Sequence, residues 1–403
     1  MNISMIGPFG LQQKGTMSAR ALPLARGLVR RGHRVRMVLP AWDSPADAGR
    51  RWNDAGVEVY HVKMAGAWLP RASVRVLHRL IRAAMEPAPD LLHLFKPVGY
   101  SGLAGLCMAS RRSRPAIIFD LDDLEGRHGW GAVASRWPGE AVLRQWQEQW
   151  ALRHADHLTV ASHYLRDMAI SAGMPTSRVT LVPNGCDMPD LAVGETGWLA
   201  GRADARARHG IAGDAPVVLW STRLREFDPG RAGRILEQAL ATLPKMQILV
   251  AGAGPPEVNA RWKEIVVADP RLHSRVQHLG WLSADEWQEA LFAADVGILP
   301  MEDTALNRAR CPSTLPRLLA QGLPVIAHDV GEVATYLDDG RAGRRIPPND
   351  DRAFVDALLG VIEYSTAHPG TRGEISRQTL QRWSWDRLAG ELDLAYQQSL
   401  VYK

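Results

Sequence analysis

The fold is decided by the stretch VVLWSTRLR, residues 217–225. Its first four residues are apolar and predict a buried strand, and the polar residues after them mark the carboxyl end of that strand. A helical pattern at 231–241 and a second apolar strand at 247–251 follow. A strand, a helix and a further strand in this order predict a parallel sheet with helices on its faces.

The same alternation extends in both directions from this stretch. Towards the N-terminus, apolar strands are predicted at 3–6, 35–39, 56–62, 91–95, 116–119, 157–161 and 179–182. Towards the C-terminus, they are predicted at 276–279, 296–299 and 324–327.

Helices are expected between these strands, and two of them have clear local signals. The spacing of Met17, Leu24 and Leu28 predicts a helix in which Pro23 is either a kink or part of the first turn. The residues SADE at 283–286 have the pattern of a capping box and predict a helix through residue 293. Further helices are predicted at 75–85, 141–155, 352–364 and 383–400, and from the residues after 300 through 321.

The chain therefore divides into two doubly wound, Rossmann-like α/β domains. Residues 191–213 are rich in Gly, Ala, Arg and Asp and interrupt the pattern, so we place the domain junction there. The predicted domains are 1–190 and 191–378, followed by a C-terminal helix within 379–403.

Composition excludes a disordered or fibrous chain. Of the 403 residues, 46% are hydrophobic and 23% are charged, which is close to the globular average. The net charge of +5 suits anionic partners such as sugar nucleotides, membrane surfaces or nucleic acid, although a GC-rich genome would give the same bias towards Arg. Nucleic acid is not expected, because the basic residues are scattered and no basic tract is interleaved with aromatic residues.

Cysteine usage and the chain start indicate a cytoplasmic protein. The three cysteines are far apart and form neither a metal-binding spacing nor an even-numbered disulfide set. The first residues, MNISMIG, read as a strand rather than a signal peptide, and no run reaches the ~18 apolar residues of a membrane span. Peripheral contact with the inner membrane face is a further option.

The first candidate site is the glycine-containing loop at 7–15. Gly10, Lys14 and Gly15 lie between a strand and a helix, where backbone amides and the helix N-terminus favour anions. The loop matches neither G-x-G-x-x-G nor a Walker motif, so a nicotinamide dehydrogenase is disfavoured. The alternative is an ordinary tight turn between a strand and a helix.

The second candidate site is the acidic stretch FDLDDLEG at 119–126. Its Asp-x-Asp spacing suggests a metal site, but this signal alone is weak, and no metal site is predicted here. We prefer Asp120 and Asp122 as candidate catalytic residues that bind a sugar or acceptor hydroxyl. The alternative is a set of carboxylates that interact with a helix N-terminus.

The third and fourth candidate sites lie in the C-terminal half. Arg223 and Arg225 follow the strand at 217–220 and can grip a diphosphate with charge-assisted hydrogen bonds, although a solvated surface pair is the alternative. Gly252 ends the next strand and is a further candidate ligand-binding residue. The polar loop at 300–315 contains Glu302 together with candidate binding residues, and its amides would hold phosphate where a helix starts. The candidate binding residues of this loop are Asp303, Asn307, Ser313, Thr314 and Leu315.

Six short motifs, in this order and spacing, resemble the GT-B-fold retaining glycosyltransferases of family 4, also called group 1. They are VPNG at 182–185, GWL at 280–282, ADVGILP at 294–300, GLPVIA at 322–327, GE at 331–332 and WSW at 383–385. The resemblance implies a hexosyltransferase that moves a sugar from a UDP- or GDP-sugar to a hydroxyl acceptor, without metal or other cofactor. It implies a donor bound by the C-terminal domain, a glycan or lipid-linked acceptor bound by the N-terminal domain, and a last helix that crosses back to the first domain.

The resemblance also assigns individual residues. Gly10 and Gly15 match the family's glycine loop near the donor phosphates, and Arg223 matches the arginine that grips the diphosphate. Leu282 matches the position whose backbone reads the nucleotide base.

Several positions depart from the family pattern. The usual Lys five residues after Arg223 is Asp228, so Arg225 or Lys14 is expected to supply that charge. The two acids of the family are replaced by Ala309 and Arg317, and Thr314 stands where many relatives have Lys. Glu302, the candidate catalytic residue of this loop, or Asp303 is then expected to contact the sugar.

These departures leave two other hypotheses open. One is a degenerate GT-B protein that binds a partner or nucleotide without turnover. The other is a different doubly wound enzyme, such as a sugar-nucleotide epimerase or a nicotinamide oxidoreductase. Separately, Arg75, Arg79 and Arg82 give the helix at 75–85 a basic face that suits either anionic lipid or simple solvent exposure.

Overall fold

The computed structural model describes residues 1–11, 15–64, 70–135, 137–187, 195–337, 340, 342–368 and 370–401. Contacts divide the chain into two compact units. The first unit contains Met1–Gly185, the short segment Arg308–Cys311 and the C-terminal residues from Trp385. The second contains Cys186–Asn307 and Pro312–Ser384. Within the described residues, no helix combines the length and the apolar character that a membrane span requires.

The first unit is a parallel α/β sheet flanked by helices. In the described residues its strands are β1 (Asn2–Ile6), β2 (Arg34–Pro40), β3 (Arg51–Asp54), β4 (Val57–Val62), β5 (Leu91–Phe95), β6 (Ala116–Leu121), β7 (His157–Val160) and β8 (Val179–Leu181). Its helices before the second unit are α1 (Leu22–Arg30), α2 (Pro70–Met85), α3 (Gly99–Ala109), α4 (Trp130–Ala134), α5 (Glu140–His154) and α6 (His163–Ser171). The order of the described strands is β3-β4-β2-β1-β5-β6-β7-β8, and among them β3 alone pairs antiparallel.

The second unit repeats this architecture with a sheet whose described strands are all parallel. These strands are β9 (Val217–Ser221), β10 (Gln247–Ala251), β11 (Val276–Gly280), β12 (Val296–Leu299), β13 (Val325–His328) and β14 (Gly343–Ile346), in the order β11-β10-β9-β12-β13-β14. The described helices that begin in this unit are α7 (Glu195–Arg208), α8 (Pro229–Thr242), α9 (Pro256–Ala268), α10 (Pro270–Arg275), α11 (Ala284–Ala293), α12 (Ala305–Ala309), α13 (Thr314–Ala320), α14 (Val333–Tyr336), α15 (Asp351–Ala367) and α16 (Thr371–Trp383).

Burial explains why the stretch at 217–225 sets the fold. The side chains of β9 from Val217 to Trp220 are buried, and Trp220 meets Trp262 of α9 edge-on with ring centroids 5.3 Å apart. Fully burying one large apolar side chain contributes roughly 1.5–3 kcal/mol. A central strand that is apolar on both faces is therefore stable only between two layers of helices.

Two local predictions for helix starts are confirmed. Pro23 lies in the first turn of α1, directly after one turn of wider π-helix at Met17–Ala21. The capping box at α11 is complete, because the Ser283 hydroxyl accepts the Glu286 N–H while the Glu286 carboxylate accepts the Ser283 N–H.

Two predictions of elements are wrong, and two strands were missed. Residues 195–208 form α7 instead of a loose junction, and the single helix predicted through 321 is two short helices, α12 and α13. Pro312 precedes α13, where its ring and missing N–H favour a new helix start over continuation. Strands β3 and β14 were not predicted, since each contains charged residues and lies at the edge of its sheet.

The C-terminal helix α17 (Trp385–Val401) returns to the first unit, as the resemblance implied. It packs on α1 so closely that a side chain at Gly27 would overlap Ala389. The Tyr396 hydroxyl lies 2.6 Å from Nδ1 of His93 in β5. The return begins at Trp385, whereas residues 379–383 still belong to α16 in the second unit.

Candidate functional site

In the second unit, four predicted site residues follow neighbouring strands. Arg223 follows β9, Gly252 follows β10, Leu282 follows β11 and Glu302 follows β12. These four strands are adjacent and parallel, so their carboxyl ends form one edge of the sheet. Ligands of doubly wound sheets bind outside this edge.

The loop after β9 is organised by Glu226. Its carboxylate accepts the main-chain N–H groups of Arg223 at 3.3 Å and Arg225 at 3.1 Å, and Nε of Arg223 donates to it at 3.1 Å. Leu224 has a positive φ of 54° and donates its N–H to the Thr222 hydroxyl at 2.8 Å. A backbone conformation of this kind in a non-glycine residue persists only where the surroundings determine it. The loop therefore presents the exposed side chains of Arg223 and Arg225 from an ordered backbone.

Gly252 has a packing role rather than the ligand contact that we predicted. Its φ of 111° and its closeness to the Thr222 carbonyl, which a Cβ would overlap, require glycine. Its N–H donates to the Gly280 carbonyl at 2.6 Å, so this amide is already used. The glycine thus holds together the carboxyl ends of three strands.

The loop after β12 is tied to the loop after β9. The buried Asn307 side chain donates to the carbonyls of Glu226 at 2.9 Å and Glu302 at 2.8 Å, which gives it a structural role. Glu302 forms an ion pair with Arg231 at 3.2 Å. Asp303 is exposed on the same loop. The predicted acidic contact to a sugar therefore has a half-buried candidate, Glu302, and an exposed one, Asp303.

Main-chain groups complete this edge of the second unit. Among the residues described, the N–H groups of Ser313 and Thr314 at the start of α13 have no hydrogen-bond partner, whereas Leu315 donates to the Pro312 carbonyl at 3.2 Å. The side chain of Leu282 is buried, and its main chain also has no hydrogen-bond partner within the described part of the chain. Unused N–H groups at such positions can donate hydrogen bonds to phosphate or base oxygens.

In the first unit, Asp120 lies at the end of β6 and is buried. Arg20 donates from Nε and Nη2 to its two carboxylate oxygens, both at 2.8 Å, and the Thr159 hydroxyl donates at 2.7 Å. Burial alone would raise the pKa of Asp120, but the charge and hydrogen bonds of Arg20 hold that pKa below its usual value. The predicted contact between Asp120 and an acceptor is therefore corrected to a structural ion pair.

Arg20 connects this pair to the VPNG motif. Its Nη1 donates to the Pro183 carbonyl at 3.3 Å and to Oδ1 of Asn184 at 3.2 Å. Asn184 in turn donates from Nδ2 to the Cys311 carbonyl at 2.6 Å. The motif therefore holds Arg308–Cys311 in the first unit. The sequence signal that could have revealed Arg20 is its position beside the apolar residues of a buried helix.

Asp122 belongs to a cluster whose internal cation was not predicted. The Lys96 ammonium lies 2.9 Å from Asp122, 3.2 Å from Asp123 and 2.6 Å from Glu125. Burial and the neighbouring carboxylates raise the pKa of Asp122 to about 6, against the attraction of Lys96. These three carboxylates lie close enough to share a metal ion, but Lys96 already supplies a positive charge among them. Its position directly after β5 was the available sequence signal.

The glycine loop of the first unit is also anchored internally. The Gly10 N–H donates to Oδ1 of Asp43 at 2.7 Å, so the amide that we predicted to face phosphate is already bonded. The Gly15 carbonyl accepts the Ser18 and Ala19 N–H groups, which starts the helical turns before α1. Lys14 lies outside the described residues.

Two family models match consecutive parts of the chain and together cover most of it. A Glycosyl transferase 4-like domain matches residues 15–185. A Glycosyl transferases group 1 model matches residues 215–364. The chain belongs to the group 1 glycosyltransferases and is an enzyme of that class.

Relatives and solved structures agree with this assignment. The chain is 23% identical over 402 residues to a phosphatidyl-myo-inositol mannosyltransferase of Mycolicibacterium smegmatis, covering 98% of this chain and 94% of the relative. It is 26% identical over 407 residues to a D-inositol 3-phosphate glycosyltransferase of Geodermatophilus obscurus, covering 96% and 85%.

The solved structures show the GT-B fold. Anabaena Alr3699/HepE in complex with UDP-glucose has a TM-score of 0.69 at 15% identity, covering 97% of this chain and 98% of that one. Sucrose-phosphate synthase from Thermosynechococcus elongatus has a TM-score of 0.70 at 21% identity, covering 100% of both chains.

Proposed function

We propose that this glycosyltransferase moves a sugar from a UDP- or GDP-sugar to a hydroxyl acceptor with retention at the anomeric carbon. The donor diphosphate binds at the carboxyl edge of the second sheet, and the acceptor is bound by the first unit. The observation that carries the proposal is the ordered loop after β9, in which Glu226 fixes the backbone that presents Arg223 and Arg225.

The chemistry requires stabilisation of the leaving nucleoside diphosphate. Negative charge grows on the diphosphate as the glycosidic bond breaks, and pre-ordered cations and amides stabilise that charge. Arg223 supplies a guanidinium, and the unused amides of Ser313 and Thr314 supply donors without a charged side chain. We infer that the reaction needs no metal ion, because these groups can carry the electrostatic role.

Asp228, at the position where the family usually has Lys, has a structural role in this chain. The Asp228 carboxylate caps α8 by accepting the Arg231 N–H at 2.8 Å, and it pairs with Arg261 at 3.1 Å. We propose that Arg225 replaces the missing lysine, since its exposed side chain has no ion-pair partner among the described residues.

An activity assay with matched variants tests the proposal. UDP- and GDP-sugars are screened with inositol, inositol phosphate and phosphatidylinositol as first acceptors, because the relatives' names contain these groups. The expected result is release of the nucleoside diphosphate, a product with the donor's anomeric configuration by NMR, and no loss of rate with EDTA.

Arg223→Ala should lower kcat/KM about ten- to hundredfold, since a charge-assisted hydrogen bond contributes about 1.5–3 kcal/mol. Arg271→Ala is the matched control, because Arg271 has a similar exposure but pairs with Glu237 away from this edge. Equal effects of both variants, or inversion at the anomeric carbon, would refute the proposal.

One observation favours a second candidate function, nucleotide binding without turnover. Ala309 is fully buried, and its carbonyl accepts a hydrogen bond from the Ser162 hydroxyl at 2.7 Å. The guanidinium of Arg317 lies over the Trp287 ring. Neither position can therefore supply the acid found in relatives. Tight binding of UDP or GDP by calorimetry, with no transfer to any acceptor, would support this candidate instead.

A further inference from the structure

Helices α4 and α5 of the first unit, with the turn between them, carry an exposed apolar face. The large apolar side chains on it are 41–48% exposed, and we call them the Trp137–Trp146 face: Val133, Trp137, Val142, Leu143 and Trp146. In a protein that stays in water, a patch of this kind marks an interaction surface. Along α5, Val142, Leu143 and Trp146 have the spacing of one helix face.

Residues 142–148 of α5 place polar side chains on the buried side of the helix and apolar side chains on the exposed side. The buried side of the helix carries polar side chains. The Gln147 amide accepts the Gly99 N–H at 3.0 Å and donates to the Gly99 carbonyl at 3.3 Å. The Glu148 carboxylate accepts the Glu125 N–H at 2.8 Å. Surface helices normally have the opposite arrangement, with apolar residues inside and polar residues outside. Val142, Leu143 and Trp146 therefore face away from the core of this unit, whereas Ala151 and Leu152 near the end of α5 are buried in it.

The charges around this face are positive. Arg127 precedes α4 and Arg153 lies in the last turn of α5, and both are exposed. Among the described residues of 127–154, the two carboxylates are Glu140, which pairs with Arg144 at 2.6 Å, and the buried Glu148. Two exposed arginines, with no exposed carboxylate among the described residues of 127–154, fit an anionic surface and disfavour a second copy of the same face.

A second basic surface lies in the same layer of helices. Helix α3 packs against both α2 and α5. On α2, Arg75, Arg79 and Arg82 are exposed, as the basic pattern of the sequence indicated. Exposed tryptophans combined with arginines and an apolar helix face are typical of helices that lie in the interface of an anionic bilayer.

We propose that the Trp137–Trp146 face docks the first unit on the surface of an anionic phospholipid membrane. The two tryptophans and Leu143 enter the headgroup region, and the surrounding arginines contact lipid phosphates. This docking adds to the proposed glycosyl transfer and does not depend on it, because it is measured without donor or acceptor.

Vesicle co-sedimentation at low salt tests this proposal on the full chain. The wild type should pellet with phosphatidylglycerol vesicles and remain in the supernatant with phosphatidylcholine vesicles. The double variant Trp137→Ser/Trp146→Ser should partition at least about tenfold less, because two exposed apolar anchors are lost. Both side chains are exposed, so its thermal unfolding should match the wild type.

Two matched variants serve as controls. Tyr364→Ser and Val267→Ser each remove an exposed large apolar side chain of the second unit, 55% and 65% exposed respectively, and should pellet like the wild type. The proposal is overturned if the wild type does not pellet, if the double variant pellets equally, or if both vesicle types bind equally. Loss of a dimer in the double variant, seen by light scattering without vesicles, would assign the face to self-association instead.

Discussion

The Asp120 carboxylate receives three hydrogen bonds, two from Arg20 and one from Thr159, and has almost no contact with solvent. A buried ion pair of this kind is maintained because each partner compensates the lost hydration of the other. Removing one charge leaves the other buried without compensation. Asp120 and Arg20 therefore act as one unit that positions the helix before α1 against the end of β6.

We expect Asp120→Asn to destabilise the protein by about 3–5 kcal/mol, because Arg20 is left without its counter-charge. Urea unfolding gives this value, and Asp214→Asn, at an exposed pair with Lys245, should leave the midpoint unchanged. If Asp120 instead touched the acceptor, the Asp120→Asn variant would unfold like the wild type and lose kcat. That outcome would restore the interpretation made from the sequence.

For single residues, the sequence predicted where polar side chains lie but not which groups they contact. The pattern correctly located polar residues at strand ends, since the carboxyl edge of a parallel sheet is where such residues collect. It could not supply their partners, because Arg20 is far from Asp120 along the chain and Lys96 follows a different strand from Asp122. Gly10 and Gly252 were correctly placed in loops, but their amides are bonded within the protein.

Helix α7 depends on a tertiary contact that its composition conceals. Arg206 is buried and donates to the carbonyls of Ala293, Gly213 and Ala215, and it pairs with Asp295 at 2.7 Å. A segment rich in Gly, Ala and Arg has little apolar periodicity, so the sequence predicted a junction there. The helix is instead held by the buried Arg206 guanidinium, together with Arg202, which pairs with the same Asp295 at 2.6 Å.

Arg206→Ala should lower the free energy of unfolding by about 2–5 kcal/mol, since several buried carbonyls lose their donor and Asp295 loses one of its two arginine partners. Differential scanning calorimetry of the full chain measures the change as a lower Tm. Arg208→Ala, two residues later on the same helix, removes only an exposed pair with Glu289 and should change Tm little. Equal shifts for the two variants would contradict this account of α7.

At the level of the whole molecule, the alternation of apolar strands and helices sufficed to predict two doubly wound sheets. The return of α17 to the first unit could not be derived from periodicity, because helical spacing does not say which surface a helix packs on. It was expected from the family resemblance alone. The insertion of Arg308–Cys311 into the first unit was not predicted, since it depends on contacts with Asn184 and Ser162.

The central claim is that the carboxyl edge of the second sheet binds the donor through its diphosphate, with Arg223 as the principal cation. Calorimetric titration of wild type and Arg223→Ala with UDP, GDP and the corresponding nucleosides tests it most directly. The wild type should bind one diphosphate far more tightly than its nucleoside, and Arg223→Ala should lose about tenfold or more of this difference while nucleoside binding is unchanged. Equal diphosphate affinity in both proteins would contradict the claim.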